Sequence, residues 1–448
     1  MNEWINGRDL MTCLGVDVPH DLTCTGVSID SRTIQPGELY IAIVGESLDG
    51  HDFVADAFMR GASAAVVSES SGDEAGPLLQ VADTTHALGQ IAAFHRQRFD
   101  LAVIALTGSC GKTTVKEMVA SILSLDGNTL ATPGNFNNHI GVPLSLMMLD
   151  DSHQSAVFEL GANHIGEIAY TSALVCPDVA LVNNVSAAHL EGFGSIAGVA
   201  KAKGEIYDSL TDDGVAIVNA DEVQVNSWQK NLENRKTLTF SREQQADVMA
   251  TAIQLDANGC PSFELDIFGE CQRIHLGIPG MHNVSNALAA AASCHALNVS
   301  LSKIKQGLER CASAPGRMTV TTGLAGARLI DDSYNANFAS VKAAIEVLAA
   351  YPSDRILVLG DMAELGQEAE HHHRELGKLA SAHGVDMMLT CGHLSRFCSD
   401  AFEGDAKHFT QQSDLLAYLK PKLNSQTTLI IKGSRSAHME RVVEGLMS

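Results

Sequence analysis

The spacing of the hydrophobic positions changes along this chain, and each change predicts a different kind of structure. Up to about residue 82, short apolar runs such as "ELYIAIVG" and "ASAAVVS" flank the helix-like "HDFVADAFMRGA". From about residue 83, the continuous apolar runs "LAVIAL", "AVFEL", "VALVNNV" and "VAIVN" alternate with helical segments. Continuous apolar runs are typical of parallel strands that are buried on both faces. We therefore expect a small α/β domain followed by a domain with a mostly parallel sheet.

Between about residues 236 and 279 the spacing shortens to two. "SFELDIF" and "QRIHLGI" alternate, with "ANGCP" as a turn between strands, which predicts an antiparallel hairpin unit on the central sheet. From about residue 314, "ARLID", "RILVLG", "DMMLTC" and "TTLIIK" alternate with helices expected near 339–350, 370–383, 413–423 and 436–447. The whole pattern predicts an α/β protein of three domains, 1–82, 83–313 and 314–448, the last with a Rossmann-like parallel sheet.

A glycine-rich turn between a buried strand and an amphipathic helix has the composition of a phosphate-binding loop. "TGSCGKTT", residues 107–114, ends like G-x-x-x-x-G-K-[ST], although Leu106 stands where that motif begins with glycine. In such a loop, backbone N–H groups line the anion, Lys112 neutralises the outer phosphates and Thr113 ligates Mg²⁺. The alternative is an ordinary glycine turn before a helix. The nucleotide-binding candidates are Gly108, Ser109, Cys110, Gly111, Lys112, Thr113 and Thr114.

Two further side chains follow apolar runs, at the sheet edge where open α/β sheets bind ligands. Glu159 ends "AVFEL" and His189 lies in "NNVSAAHLEGFG", so each is either a metal ligand or a polar loop residue.

Lys203 is a third candidate because it falls within an apolar helical stripe. That stripe consists of Ile196, Val199, Ala200, Ile206, Tyr207 and Leu210. A lysine on such a face must reach solvent, shift its pKa or change its chemistry, because burying an unpaired ammonium is costly.

Composition and charge exclude several classes of function. The chain of 448 residues has a formal net charge of -23, which argues against a nucleic-acid partner, because such binding needs clustered Lys and Arg. No apolar run approaches the roughly 18–20 residues that span a bilayer, and the N-terminus lacks a signal-peptide pattern. Ten cysteines are scattered without a C-x-x-C pair, which favours reduced thiols. We expect a cytoplasmic protein that has no membrane partner.

Taken together, the motifs resemble the Mur ligase family, whose members build the peptide stem of peptidoglycan. The resemblance spans nearly the whole chain and rests on "LTGSCGKTTVKEM", "TPGNFNNHIGVPLSL", "FELGANHIGEI", "NNVSAAHLEGFGS", "AKAKGEIY", "PGMHNVSNALAAAA", "APGRM", "DDSYNAN", "LGDMAELG" and "KGSRSAHME". "DDSYNAN", "LGDMAELG" and the absence of D-N-P-R are similar to the member that adds D-alanyl-D-alanine. "VSIDSRTIQPGELYIAIVGESLDGHDF" is similar to a UDP-binding domain. The shortened T-G-x-x-G-K-T loop is the family's version.

The resemblance implies an ATP-dependent ligase acting on small-molecule substrates. ATP would phosphorylate the terminal carboxylate of UDP-N-acetylmuramoyl-tripeptide, and the amine of D-alanyl-D-alanine would attack the acyl phosphate. Thr113 and Glu159 would hold one Mg²⁺, and His189 and Lys203 a second, with Lys203 carbamylated by CO₂. By motif position, Asn283 and Asn286 would lie beside adenine, and Arg317 and Asp331 would contact ATP. Ser31 and Arg32 would contact the UDP group, and Asn137 and Asn138 would contact the peptide substrate. Lys432 and Ser434 would contact the dipeptide. We also expect a monomer.

The chain departs from the family's pattern at two positions. Phe338 stands where proline commonly follows "DDSYNAN", which we expect to alter only the start of the next helix. His139 replaces an acidic or amide residue, which puts in doubt any role for that position. "EHHHREL", residues 370–376, invites a zinc interpretation, but consecutive histidines project around a helix rather than converging.

Three other functions compete with a D-alanyl-D-alanine ligase. A GTPase is disfavoured because the chain contains no Asn-Lys dipeptide and so no N-K-x-D motif. A Mur-like ligase with another acceptor is disfavoured by the "DSR" segment and by the missing D-N-P-R. A non-catalytic nucleotide-binding scaffold would not need Lys112, Glu159, His189 and Lys203 together.

Overall fold

The structure is a computed structural model that describes residues 4–69, 76–187, 190–352 and 354–447. Its contacts separate two units. The first unit comprises Met1–Leu101, Thr132–His153 and Tyr170–Cys176, and the second comprises Ala102–Ala131, Gln154–Ala169 and Pro177–Ser448. The domain boundaries expected at residues 82 and 313 stay predictions. None of the helices in the described ranges combines the length and the hydropathy that crossing a membrane requires.

The first unit contains the small sheets expected at the start of the chain. Its elements are β1 (Ile5–Asn6), α1 (Gly7–Leu14), β2 (Thr23–Cys24), β3 (Val27–Ser28), β4 (Leu39–Ile41), α2 (Val54–Met59), β5 (Ala64–Val67), β6 (Leu78–Gln80) and α3 (Thr84–Arg96). β1 pairs with β2, and β3-β4-β5-β6 form a parallel sheet. α3 begins where the Asp83 side chain accepts a hydrogen bond from the backbone of His86, as an N-cap does. The predicted strands and helix are confirmed.

The next part of the chain builds a large, mostly parallel sheet. Its elements are β7 (Ala102–Thr107), α4 (Lys112–Leu123), β8 (Asn128–Ala131), α5 (Gly141–Leu146), β9 (His153–Glu159), α6 (Glu167–Val175), β10 (Val179–Val182), α7 (Leu190–Phe193), α8 (Ile196–Gly204), β11 (Val215–Asn219), α9 (Gln229–Leu232), β12 (Lys236–Ser241), β13 (Val248–Leu255), β14 (Pro261–Ile267), β15 (Glu270–His275), α10 (His282–Ala296) and α11 (Leu301–Arg310). The strand order is β15-β14-β13-β12-β11-β10-β7-β9-β8.

The expected hairpin unit is present at one end of this sheet, but it begins one strand later than the sequence suggested. β13, β14 and β15 are antiparallel neighbours, whereas β12 pairs in parallel with both β11 and β13. The chain between β11 and β12 passes through helical turns at Val223–Trp228 and Gln229–Leu232. A crossover of that length allows β12 to pair in parallel with β11. A period of two identifies a strand but does not tell whether it pairs in parallel or antiparallel, so it did not mark the start of the hairpin.

The last part of the chain forms the expected Rossmann-like sheet. Its elements are β16 (Thr319–Thr322), β17 (Arg328–Asp332), α12 (Phe338–Ala349), β18 (Arg355–Gly360), α13 (Ala369–Ala382), β19 (Met387–Cys391), α14 (Arg396–Ala401), β20 (Asp405–Phe409), α15 (Gln412–Leu419), β21 (Thr428–Lys432) and α16 (Glu440–Leu446). The order is β16-β17-β21-β18-β19-β20, with β16 antiparallel to β17 and the other pairs parallel. The mixed α/β fold class is confirmed.

The departure at Phe338 lies at the first residue of α12. The Asn337 side chain accepts a hydrogen bond from the Ser340 backbone, and the Ser340 hydroxyl accepts one from the Asn337 backbone. This capping box starts the helix without a proline. The Phe338 ring also packs against the core of the C-terminal sheet and lies 5.3 Å from the His372 ring, so its contacts extend beyond the start of the helix.

Candidate active site

The phosphate loop lies between β7 and α4, and its glycines meet a spatial requirement. Gly111 has φ 76°, a conformation that glycine adopts without strain. A Cβ atom at Gly111 would lie 2.4 Å from Asn286 Oδ1 and 2.8 Å from Asn183 Nδ2. Lys112 opens α4, and its ammonium donates to the Gly108 carbonyl at 2.9 Å. The loop therefore has the strand, turn and helix arrangement of a phosphate site.

Two asparagine side chains that the sequence did not single out, Asn183 and Asn184, hold this loop in place together with the predicted Asn286. Asn184 Oδ1 accepts from the Cys110 backbone at 2.8 Å, and Asn183 Nδ2 donates to the Cys110 carbonyl at 3.0 Å. Asn183 Nδ2 also donates to Asn286 Oδ1 at 3.0 Å, and Asn286 in turn donates to Asn283 Oδ1 at 2.8 Å. A signal was available, because the "NN" pair directly follows the apolar run that becomes β10.

The metal-ligand pair predicted from strand and helix positions is in direct contact. The Thr113 hydroxyl donates to Glu159 Oε2 at 2.8 Å, and both side chains are buried. Glu159 is the last residue of β9, which neighbours β7 in the sheet. The prediction that Glu159 lies at the carboxyl end of a strand is confirmed. A hydroxyl and a carboxylate at this spacing offer oxygen ligands of the kind Mg²⁺ prefers.

Lys203 is buried, as its place in the apolar stripe predicted. Its exposed fraction is 3%, and burial, reinforced by the charge of Lys112, lowers the pKa of Lys203 to about 7. Val199, Ala200, Ile206, Tyr207 and Leu210 are buried beside it in sequence. Ile196 was wrongly assigned to that stripe: it is 43% exposed at the first turn of α8, where a helix face is not yet covered. His189 lies outside the described residues.

Burial lowers the pKa of Lys112 as well, and the other groups acting on it come from different elements. The Glu159 carboxylate opposes the shift, and the Arg317 guanidinium adds to it. Asp331, by contrast, accepts hydrogen bonds from the backbone and hydroxyl of Ser333 at 3.0 and 2.6 Å.

The loop after β17 also contacts the phosphate loop. Cys110 Sγ lies 3.2 Å from Asn337 Nδ2 and 3.3 Å from Asn337 Oδ1. Arg317 stacks on the Tyr334 ring, with its guanidinium carbon 4.2 Å from the ring centroid, an arrangement that stabilises a cation over an aromatic face. The carboxyl edge of the C-terminal sheet is thus in contact with the loop that would hold phosphates.

The two residues predicted to hold a dipeptide are both buried at this edge. Lys432 ends β21, is 3% exposed, and donates to Asp332 Oδ2 at 2.6 Å and to the Asn335 carbonyl at 2.8 Å. The Ser434 backbone donates to the Asp361 carbonyl at 2.9 Å. Both residues therefore fix the loops that follow β17, β18 and β21.

In the first unit, the predicted substrate residues lie on two loops. Ser31 is buried, while Arg32 is exposed and paired with Asp30 at 2.7 Å, which lowers the pKa of Asp30 to about 2. Asn138 Oδ1 accepts from the Gly141 backbone at 2.8 Å and so holds the start of α5. Asn137 donates to Asn135 Oδ1 at 3.0 Å. The exposed His139 receives no role from the structure.

The three consecutive histidines do not converge. His373 is fully buried, donates to the Ala369 carbonyl at 2.6 Å and accepts from the Met362 backbone at 3.1 Å. His371 and His372 lie side by side with ring centroids 5.7 Å apart. Across the part of the chain that the structure describes, no group of three His, Cys, Asp or Glu side chains is arranged to hold a metal. These histidines therefore contribute to packing and to a helix surface.

Comparison with known protein families gives three consecutive matches. The Mur ligase family catalytic domain matches residues 23–96, the Mur ligase middle domain matches 106–294, and the Mur ligase glutamate ligase domain matches 316–435. Together these ranges cover most of the chain and follow the order of its parts.

Individual proteins of high similarity cover almost the whole length. The UDP-N-acetylmuramoyl-tripeptide--D-alanyl-D-alanine ligase of Escherichia coli (strain K12) is 47% identical over 95% of this chain and 94% of its own. The structure of MurF from Acinetobacter baumannii superposes with TM-score 0.94 at 36% identity, covering 100% and 99% of the two chains. The structure of MurF ligase from Thermotoga maritima in complex with ADP gives 0.85 at 25% identity, covering 94% and 96%.

Proposed function

The chain belongs to the Mur ligase family, and from this premise we propose how its residues carry out the family's reaction. It is an ATP-dependent ligase that joins D-alanyl-D-alanine to UDP-N-acetylmuramoyl-tripeptide. The observation that carries the mechanism is the buried hydrogen bond from Thr113 to Glu159, whose carboxylate acts on the buried amine of Lys112, with Lys112 acting on Lys203 in turn. This arrangement is suited to bringing two anions, a triphosphate and a carboxylate, into contact.

A carboxylate is a poor electrophile because its negative charge is delocalised and repels an incoming lone pair. We propose that an oxygen of the tripeptide carboxylate bonds to the γ-phosphorus of ATP, which breaks the bond to ADP and gives an acyl phosphate. The amine of the dipeptide then bonds to the acyl carbon and loses a proton. Phosphate leaves with the former carboxylate oxygen, so that the products are the UDP-linked pentapeptide, ADP and phosphate.

The phosphate loop contributes positive charge and N–H donors. The backbone N–H groups of Gly111 and Lys112 lie at the start of α4, where the helix dipole favours an anion, whereas those of Ser109 and Cys110 donate to Asn184. Lys112 donates to the Gly108 carbonyl and can exchange that acceptor for an outer phosphate. The asparagine contacts around Cys110 hold the loop in a fixed conformation before substrate arrives, which reduces the entropy cost of binding.

Thr113 and Glu159 fit Mg²⁺, since a buried hydroxyl and carboxylate in contact are hard oxygen ligands. There Mg²⁺ would supply positive charge that offsets the charge of the phosphates. Lys203 fits the predicted modification, because a pKa of about 7 leaves about half of its amines neutral at neutral pH. A neutral amine can bond to the carbon of CO₂ and lose one proton, which yields a carbamate with oxygen ligands. His189 stays a predicted ligand outside the described residues.

The other residue roles are proposals that follow from position. Asn283 and Asn286 would border adenine, and Arg317 and Asp331 would contact ATP. Ser31 and Arg32 would contact the UDP group, and Asn137 and Asn138 the peptide substrate. We propose that Lys432 and Ser434 act on the dipeptide by positioning the loops around it. The monomeric state and the cytoplasmic location stay predictions.

A substrate-omission assay tests this function. The purified protein, with Mg²⁺ and bicarbonate, is given ATP, UDP-N-acetylmuramoyl-tripeptide and D-alanyl-D-alanine, and then each mixture that lacks one of them. Phosphate release is measured beside mass spectrometry of the peptide product. We expect one pentapeptide per phosphate, and pentapeptide only in the complete mixture. Pentapeptide without ATP, or steady ATP hydrolysis without pentapeptide, would contradict the proposal.

A further inference from the structure

The dipeptide substrate has a group that the reaction does not consume. Its amine becomes the new amide, but its carboxylate keeps a negative charge throughout. On a chain of net charge -23, such an anion is bound best where a cation offsets the overall field locally. The question of which cation binds it rests on the proposed function, because that function defines the dipeptide as a substrate.

The strand order of the C-terminal sheet places one loop beside the phosphate loop. β21 lies between β17 and β18, with Lys432 paired to Asp332 on one side and to Leu359 on the other. The loop after β17 carries Asn337, which contacts Cys110 of the phosphate loop. Neighbouring strands are about 4.8 Å apart, so the loop after β21 begins one strand away from the start of the loop that carries Asn337.

Lys432 was the expected cation at this position, but its ammonium is already engaged. It donates to Asp332 Oδ2 at 2.6 Å and to the carbonyl of Asn335 at 2.8 Å, with the Asp332 carbonyl at 3.5 Å. An ammonium has three donors, and this one is 3% exposed. Binding a substrate carboxylate would require breaking a buried ion pair, which is costly.

Arg435, three residues later, has the opposite character. Its side chain is 62% exposed, and its Nη1 lies 3.1 Å from Glu440 Oε1. An exposed pair of this kind contributes little to stability, so replacing Glu440 by another carboxylate costs little. The guanidinium presents five donors in a planar fork that matches a carboxylate with two parallel hydrogen bonds.

The backbone around Arg435 is held firmly even though its side chain is exposed. Ser434 is buried and donates its N–H to the Asp361 carbonyl at 2.9 Å, and the hydroxyls of Ser434 and Ser436 are 3.1 Å apart. A fixed backbone with an exposed, charged side chain is an arrangement that lets a residue bind a ligand. Arg396, the arginine after β19, stacks on Phe397 and follows a strand that lies three positions from β17 in the sheet, two further than β21.

We infer that Arg435 binds the carboxylate of D-alanyl-D-alanine, and that Glu440 occupies the guanidinium while the dipeptide is absent. Arg435 thus selects an acceptor that has both a free amine and a free carboxylate. Its contribution is to substrate binding, because the carboxylate changes neither charge nor bonding during the reaction. The effect of losing Arg435 should therefore appear in the KM for the dipeptide.

The test compares D-alanyl-D-alanine with D-alanyl-D-alaninamide, whose carboxylate is replaced by a neutral amide. For Arg435→Gln we expect the KM for the dipeptide to rise roughly 10- to 100-fold, the range for losing a hydrogen bond between charged groups. With the amide as substrate, the KM of Arg435→Gln should stay within about 3-fold of the wild-type KM for the amide. The kcat of the variant should change little. Arg435→Lys should give an intermediate KM, because it keeps the charge but loses the fork.

Arg441→Gln is the matched control, since Arg441 is an exposed arginine on the adjacent helix α16, and its KM values should equal those of wild type. Equal KM increases for dipeptide and amide in Arg435→Gln, or no increase for either, would overturn the inference. Hydroxylamine offered to the wild type in place of the dipeptide traps an acyl phosphate as a hydroxamate. A wild type that yields neither hydroxamate nor pentapeptide refutes the proposed function, whereas a normal wild type with an unaffected Arg435→Gln refutes only the role of Arg435.

Discussion

The region around Lys203 and the region around Lys432 each bury a lysine to the same extent, 3% exposed. They differ in how the cost of burying a charged amine is avoided. Lys432 meets a carboxylate, Asp332, at 2.6 Å, and a backbone carbonyl at 2.8 Å. Lys203 instead meets the positive charge of Lys112, and its pKa is lowered to about 7. The first environment pairs the lysine with a counter-charge, whereas the second favours a neutral amine. Burial alone therefore does not define what a lysine does, because the neighbouring charge decides.

The largest effect that separates the two regions is expected on catalysis. Lys203→Ala should lower the ligation rate by roughly 1,000-fold or more, since it removes a group at the centre of charge neutralisation. Formate or acetate in the buffer should restore part of the rate by supplying the missing carboxylate. The steady-state rate of pentapeptide formation measures both effects. The control is Lys201→Ala, because Lys201 is an exposed lysine on the same helix. Full activity of Lys203→Ala without added carboxylate would refute the metal-ligand role.

The second effect is expected on stability and runs the other way. Lys432→Met leaves Asp332 buried without its cation, which should cost about 3–5 kcal/mol of unfolding free energy. Lys203→Met leaves no such counter-ion, so its unfolding free energy should not fall. Urea denaturation of both variants makes the comparison. If Lys203→Met loses as much stability as Lys432→Met, the two environments are not different in kind.

A smaller effect concerns pH. The pKa of Lys203 is lowered in the folded protein, so above pH 7 the unfolded chain binds one more proton at this residue than the folded chain does. Wild-type stability relative to Lys203→Met should therefore rise with pH, by ~1.4 kcal/mol per pH unit from about pH 7 toward the ordinary lysine pKa. Denaturation between pH 6 and 9, without Mg²⁺ and CO₂, measures the slope. A flat difference over that range would show that Lys203 titrates normally.

The smallest effect is expected at Cys110. Its thiol contacts the Asn337 amide at 3.2–3.3 Å, and a serine hydroxyl can make the same hydrogen bonds at a shorter distance. Cys110→Ser should change the KM for ATP by less than about 3-fold, because a neutral hydrogen bond contributes only about 1 kcal/mol. Initial-rate kinetics at varied ATP settles the point. A change of 10-fold or more would mean that the thiol itself matters for nucleotide binding.

The regions also differ in how much the sequence alone could predict. Apolar runs and a helical stripe follow local periodicity, so β7, β9, Glu159 and the burial of Lys203 were all predictable. β20 and α14 were missed because "DAKHF" is a polar strand next to only one neighbour and α14 is a short helix. The contacts of Asn183 with Asn286, and of Lys432 with Asp332, join residues about 100 positions apart. No local pattern encodes such pairs, because the sheet order creates them.

Isotope transfer tests the central claim most directly, namely that ATP activates the tripeptide carboxylate before the dipeptide attacks. The terminal carboxylate of UDP-N-acetylmuramoyl-tripeptide is labelled with ¹⁸O, the complete reaction is run, and the released phosphate is analysed by mass spectrometry. The account predicts one ¹⁸O atom transferred from the labelled carboxylate to each phosphate. Phosphate without ¹⁸O, formed together with pentapeptide, would contradict it.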